Sequence, residues 1–98
     1  MPRVIFTPAA RADLNSALDW YDTHAPHVAP QFRDALRATL ARIAQNPKQF
    51  PVEYRQTRRA LLRRFPYFVV FREIEGNIYV IAVFHTSRDP ITWQSRSQ

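Results

Sequence analysis

The spacing of hydrophobic positions changes period part-way along this chain. After a short β-prone stretch, "RVIF" at residues 3–6, Thr7 and Pro8 supply an N-cap and a first helical residue whose missing N–H costs nothing. Leu14, Ala17, Leu18 and Tyr21 then fall at i, i+3, i+4 and i+7, one face of a helix. Pro26 in "THAPH" cannot continue that helix. A second helix is predicted from Pro30, with Phe32, Leu36, Leu40 and Ile43 at helical spacing. Arg33, Asp34, Arg37 and Arg42 take its other faces, and Asn46-Pro47 stops it. Two amphipathic helices around a short Pro-containing loop read as an αα-hairpin.

Beyond residue 60 the composition becomes that of strands. "ALLRRF", "YFVVFREIEGN" and "IYVIAVFHT" are rich in β-branched and aromatic residues. The only glycine, Gly76, lies in "EGN" between the last two runs, where a tight hairpin requires it. Both alternating faces of "IYVIAVF" are apolar, which predicts a central strand covered on both sides. Residues 47–59, "PKQFPVEYRQTRR", read as a loop. Asp89-Pro90 repeats the helix-start signal of Thr7-Pro8, leaving room for a short terminal helix in "ITWQSR". The expected order is β-α-α-β-β-β, an α+β fold with a helical hairpin packed on one face of a small, largely antiparallel sheet. At 98 residues this is one domain, 1–98.

Composition narrows the chemistry. The absence of cysteine excludes a disulfide framework and a thiolate metal site. His24 and His27 are three apart, but Pro26 between them breaks a helical pair and no third ligand is evident, so no metal is expected. One glycine cannot build a phosphate loop, and no serine or cysteine nucleophile has a partner base, so no cofactor is expected either. "MPRVIFTPAARADL" has no apolar core of signal-peptide length, and "YFVVF" and "IYVIAVF" are far short of a membrane span. The expectation is a soluble, cytoplasmic protein. The formal net charge is +6, the pI about 10.8, and 13 of the 14 basic residues are arginines. Arginine's planar fork suits bidentate pairing with phosphates and carboxylates, so the partner is expected to be a nucleic acid or an acidic protein segment.

The densest charge is the set Arg55, Arg58, Arg59, Arg63 and Arg64. It reads either as an electrostatic platform or as a solvated loop with cations that protect an edge strand. Arg63 and Arg64, adjacent on the predicted strand, are expected on opposite faces, so only one could line a site. His85 ends the central strand. It could act as a general acid, with an arginine stabilising a crowded phosphate, or it could fix the strand end through a hydrogen bond. Glu53, the only acid in the basic loop, is a general base or, as favoured, an ion-pair partner for a neighbouring arginine. Arg88 and Asp89 are placed to pair, while Asp89 with Pro90 also serves as a helix cap worth about 1 kcal/mol. Trp93 is an anchor onto the sheet or a stacking platform for a base.

Residues 58–96, "RRALLRRFPYFVVFREIEGNIYVIAVFHTSRDPITWQSR", resemble the C-terminal half of the RelE/ParE toxin superfamily. "FTPAARADLNSALDWY" resembles its first helix, so the resemblance spans essentially the whole chain. "RRFPYFVVFR" and "AVFHTSRDP" are the most specific pieces. The resemblance implies a toxin of a type II toxin–antitoxin pair, with a cognate antitoxin whose acidic segment folds against the basic surface. RelE-like members cut mRNA in the ribosome, whereas ParE-like members poison DNA gyrase without hydrolysing anything. "FPY" and "H-x-x-R-D-P" look nearer the ParE-like or plasmid-stabilisation branch. The histidine-using ribonucleases carry a tyrosine directly after that histidine or near the C-terminus. Here Thr86 follows His85, and no tyrosine occurs after Tyr79. The resemblance therefore implies a gyrase-binding toxin, with Arg55, Arg58, Arg59, Arg63, Arg64, His85 and Arg88 as target- or partner-binding residues and Asp89, Pro90 and Trp93 as structural ones. The alternatives are a ribosome-dependent endoribonuclease using His85 with Arg64 or Arg88, and a degenerate member that only binds its antitoxin.

Overall fold

Thr7 converts a strand into a helix. In the computed structural model, which describes residues 2–97, β1 (Val4–Phe6) ends as the Thr7 N–H donates to the Val80 carbonyl at 3.0 Å. Thr7 Oγ1 then accepts the Ala10 N–H at 3.2 Å, satisfying one of the free donors that open α1 (Pro8–His24). Pro26 falls in the connection to α2 (Ala29–Gln45), and the Arg33–Asp22 ion pair at 3.3 Å crosses between the two helices.

The sheet runs β1-β5-β4-β3-β2. β2 (Val52–Tyr54), β3 (Thr57–Leu61), β4 (Tyr67–Ile74) and β5 (Asn77–His85) pair antiparallel in succession, while β1 adds to β5 in parallel. Residues 47–59 are therefore not a plain loop. A 3₁₀ turn at Pro47–Gln49 leads into β2, which turns back through Arg55 and Gln56 at φ 48° and 64°. Three strand residues between a proline and a turn are too few to show an alternation, so the pattern hides this edge strand. Arg72 Nη2 donates to the Arg55 carbonyl at 2.9 Å and helps hold that turn.

The third long strand also differs from expectation. β3 ends at Leu61, and Arg63 and Arg64 lie in the connection to β4, Arg64 at φ 68°. The opposite-face argument for these two arginines consequently does not apply. Leu62 points inward at 2% exposure and its N–H donates to the Tyr67 carbonyl at 2.9 Å, so residues 63–66 swing out around a closed neck. Pro66, unable to donate to a ladder, suits that position. The β4–β5 turn uses Glu75 and Gly76, both at positive φ (51° and 81°), as a two-residue primed turn requires.

The two faces of the sheet are covered unequally. Leu14, Tyr21, Phe32, Leu36 and Ile43 from the helices pack on Val69, Phe71, Ile78, Val80 and Val83. On the other face Trp93, from α3 (Ile91–Gln94), packs on Phe68, Val70, Ala82 and Phe84. β5, flanked by β1 and β4, is buried on both faces, as its doubly apolar pattern predicts. Its alternation is broken once: Val70 pairs with Ala82 but Phe71 pairs with Val80, leaving Ile81 as the extra residue of a bulge. The bulge inverts the facing of everything after it, so Val83 and His85 follow Ile78 and Val80 onto the helix side.

Candidate functional site

β1 stops at Phe6, so beyond Val80 the outer edge of β5 has no strand beside it. One carboxylate and one guanidinium take the place of that strand. The Val83 N–H donates to Asp13 Oδ2 at 3.1 Å, and Arg96 Nη1 donates to the Ile81 carbonyl at 3.0 Å. Arg96 also grips Asp13 with both arms, at 2.7 and 3.2 Å. With 10% and 24% of their side-chain surface exposed, the two partners form a mostly desolvated, bidentate pair. This pair joins α1, the bulge of β5 and the C-terminal turn, and it satisfies backbone groups on the β5 edge that β1 leaves uncovered.

Beside this latch lies a groove of about 390 Å³ lined by Asp13, Ser16, Trp20, Tyr67, His85 and Arg88. A second cavity of about 330 Å³ adjoins it, sharing Trp20, Tyr67 and His85 and adding Tyr21 and Pro66. The His85 ring meets Tyr67 edge-on, with centroids 5.0 Å apart. The Ser87 N–H donates to His85 Nδ1 at 3.1 Å and the Ser87 hydroxyl lies 2.7 Å from the same nitrogen. With Nδ1 accepting, the neutral ring carries its proton on Nε2. Burial holds the Tyr67 phenol above its ordinary range; Tyr21 pushes it the same way and the Arg88 guanidinium partly opposes them. Trp20 is 51% exposed, with His24 stacked on it at 4.7 Å and His24 Nδ1–H donating to the Trp20 carbonyl at 2.9 Å.

The arginines picked out along the chain do not converge. Arg55 folds over the Tyr54 ring at 5.5 Å at the tip of the β2–β3 hairpin, and Arg58 turns inward to donate to the Phe50 carbonyl. Arg59 pairs with Glu53 at 3.3 Å and stacks on Phe68 at 4.9 Å, on the face away from the helices. Arg63 and Arg64 line a cavity against Gln31, Asp34 and Ala35 of α2. Of the set, His85 and Arg88 alone share the groove under α1, so the arginines of residues 58–64 do not stand beside them. Arg88 also covers the Phe84 ring at 4.7 Å, and the ion pairs among the described residues do not include one between Arg88 and Asp89. Asp89 Oδ1 instead accepts the Ile91 N–H at 3.1 Å and its carbonyl the Thr92 N–H at 3.2 Å, starting α3 from just before Pro90. Trp93 is 3% exposed and meets Tyr54 edge-on at 6.1 Å. Among the described residues no three His, Cys, Asp or Glu side chains gather to hold a metal ion.

Four residues of this region were not legible as site residues: Asp13, Trp20, Tyr67 and Arg96. Asp13 had a signal, since it falls three residues after Ala10 and one before Leu14, an acid inside a buried stripe. Tyr67 fills in space the place beside His85 that the sequence leaves empty.

A two-helix hairpin laid on a five-stranded sheet, closed by a short C-terminal helix, defines the class as a small α+β fold. The chain belongs to the ParE toxin family: the family described as "ParE toxin of type II toxin-antitoxin system, parDE" matches residues 4–90. A chain of the "Chromosomal ParDE TA system from P. aeruginosa" shares this fold, with a TM-score of 0.75 at 23% identity, over 89% of this chain and 98% of that one. No curated protein sequence matches. Among the described residues no helix is long and apolar enough to cross a membrane.

Proposed function

We propose that this protein is a cytoplasmic ParE-like toxin that binds and inhibits DNA gyrase and is neutralised by a cognate antitoxin with an acidic segment. Beyond membership of the family, one observation supports the gyrase reading. A metal-independent ribonuclease needs an acid, a base and a cation within hydrogen-bond reach of one phosphate. Here Arg58 is spent on a backbone carbonyl, Arg59 on Glu53 and Phe68, and Arg63 and Arg64 lie against α2. Cations spread in this way suit contact with a broad macromolecular surface better than catalysis at a point. Purified protein mixed with gyrase and supercoiled plasmid is expected to trap cleaved DNA. No trapping at saturating protein would sink this reading.

A second reading keeps one specific support: Tyr67 beside His85, with Arg88 on the same groove wall, supplies the aromatic hydroxyl that a histidine-using nuclease carries. Under that reading, programmed ribosomes show mRNA cuts that disappear in His85→Ala. Cutting that persists in the variant removes His85 from any mechanism.

A further inference from the structure

Arg88 stands apart from the other arginines in the groove under α1, but on the outer face of the sheet it has a neighbour. Phe68 and Phe84 are register partners on β4 and β5, with ring centroids 5.7 Å apart. Each ring carries a guanidinium: Arg59 lies over Phe68 at 4.9 Å and Arg88 over Phe84 at 4.7 Å. The ring quadrupole attracts each cation and limits its rotamers, so both forks are in place before a ligand arrives. Their hydrogen-bonding edges are largely unspent. Arg59 gives Nε to Glu53 at 3.3 Å, and Arg88 enters no ion pair among the described residues. Asp89, next to Arg88 in the chain, is turned to the Ile91 N–H.

Around this pair the outer face stays basic and thinly covered. Arg72 follows Val70 by two residues on β4 and faces the same way. Arg55 lies over Tyr54, whose ring packs beside Trp93, and the helix that carries Trp93 is four residues long. The aromatic rings at this end are all occupied: Phe68, Phe84 and Tyr54 carry guanidiniums, and Trp93 is buried. A single strand, whose splayed bases need open rings to stack on, finds no platform here. A duplex needs none, since its bases stay stacked and its phosphates make the contact. Paired planar cations on a sheet face suit that contact, because a guanidinium takes phosphate oxygens two at a time.

We propose that Arg59 and Arg88 form a phosphate clamp that seats the outer face of the sheet on the backbone of duplex DNA. The protein makes this contact by itself, so the clamp rests neither on gyrase as the target nor on the groove under α1.

Anisotropy of a short fluorescein-labelled duplex, titrated with the whole protein over a range of salt concentrations, tests this without gyrase. The Arg59→Ala, Arg88→Ala double variant is expected to bind about tenfold more weakly at low salt, with a slope of log affinity against log salt shallower by about 1.8, the loss of two phosphate contacts. The Arg33→Ala, Arg37→Ala double variant removes the same charge from ion pairs on α2 and should keep the wild-type slope. Arg59→Lys with Arg88→Lys should restore the slope without the full affinity, because an ammonium carries the charge but not the fork. Circular dichroism confirms that each variant is folded. An unchanged slope in the alanine variant overturns the proposal. So does an equal fall in the α2 variant, which makes the binding a matter of net charge, and so does full affinity in the lysine variant. Tighter binding of the single strand than of the duplex overturns it in favour of a stacking site. No binding by the wild type at low salt overturns it outright. Duplex binding by a protein that traps no gyrase, lost in the alanine variant, upholds the clamp while sinking the gyrase reading.

Discussion

The two tryptophans mark two ways of covering one sheet. Trp93 sits on a four-residue helix and is 3% exposed; Trp20 sits on a seventeen-residue helix and is 51% exposed. The short element buries its indole and the long one leaves its indole out. The reason is redundancy. Leu14, Tyr21, Phe32, Leu36 and Ile43 already roof the helix face, so that face does not need Trp20. On the outer face Trp93 is, among the described residues, the one buried side chain contributed from outside the sheet, and Phe68, Val70, Ala82 and Phe84 pack under it. A side chain that stability does not require is free to meet a partner.

The sharpest way to break this contrast is to truncate both indoles. Trp93→Ala should cost about 3 kcal/mol, the lower end for a buried aromatic, a large share of what a domain of this size holds. The lower end applies because Trp93 Nε1 finds no hydrogen-bond partner among the described residues, a burial penalty that truncation removes. Trp20→Ala should stay within about 0.5 kcal/mol, the range of a surface change. Urea denaturation of the two variants compares them directly. Equal losses would mean that α1 relies on Trp20 and that the unequal-cover account is wrong.

Next in size is the latch that lets the short element stay in place. Arg96→Ala leaves Asp13 largely buried with its charge unanswered and opens the Ile81 carbonyl. A fully buried broken pair costs about 3–5 kcal/mol, and the partial exposure of Arg96 reduces that to roughly 2 kcal/mol. The effect should not stop at stability. The bulge is what turns His85 toward Tyr67, so nuclear Overhauser contacts between those two rings should weaken in Arg96→Ala. Unchanged contacts with lowered stability would make the latch a clamp on the tail alone.

The same contrast explains what the sequence discloses. Helix-side cover repeats at i, i+3, i+4 and i+7, and the strands under it are long β-branched and aromatic runs on either side of Gly76, so the helical hairpin and β4 and β5 can be read off directly. β2 escapes because three residues carry no period, and Arg63 and Arg64 are misplaced because an apolar-basic run hides the turn after Leu61. The groove escapes for a different reason. Asp13 and Arg96 are 83 residues apart, and Tyr67 reaches His85 only through strand pairing. The bulge at Ile81 is decisive, since strict alternation would put His85 on the outer face with Phe68, away from Trp20.

The smallest expected effect tests whether Arg88 belongs to the helix-side groove as well as to the outer face, where it covers Phe84. Burial raises Tyr67, with Tyr21 adding to the shift, and Arg88 lowers it. Burial raises Tyr21 likewise. An acid whose folded value is raised keeps its proton where the unfolded chain has lost it, so the unfolded state binds fewer protons and stability falls as pH climbs. The contribution is fully present below the ordinary tyrosine value near 10 and is lost above it. A titration followed by the phenolate absorbance should therefore show Tyr21 and Tyr67 ionising late, and Arg88→Ala should move Tyr67 later still. If the variant titrates like the wild type, Arg88 lies too far from the Tyr67 hydroxyl to act on it. It would then belong to the outer face with Phe84, and the groove would lose its guanidinium end.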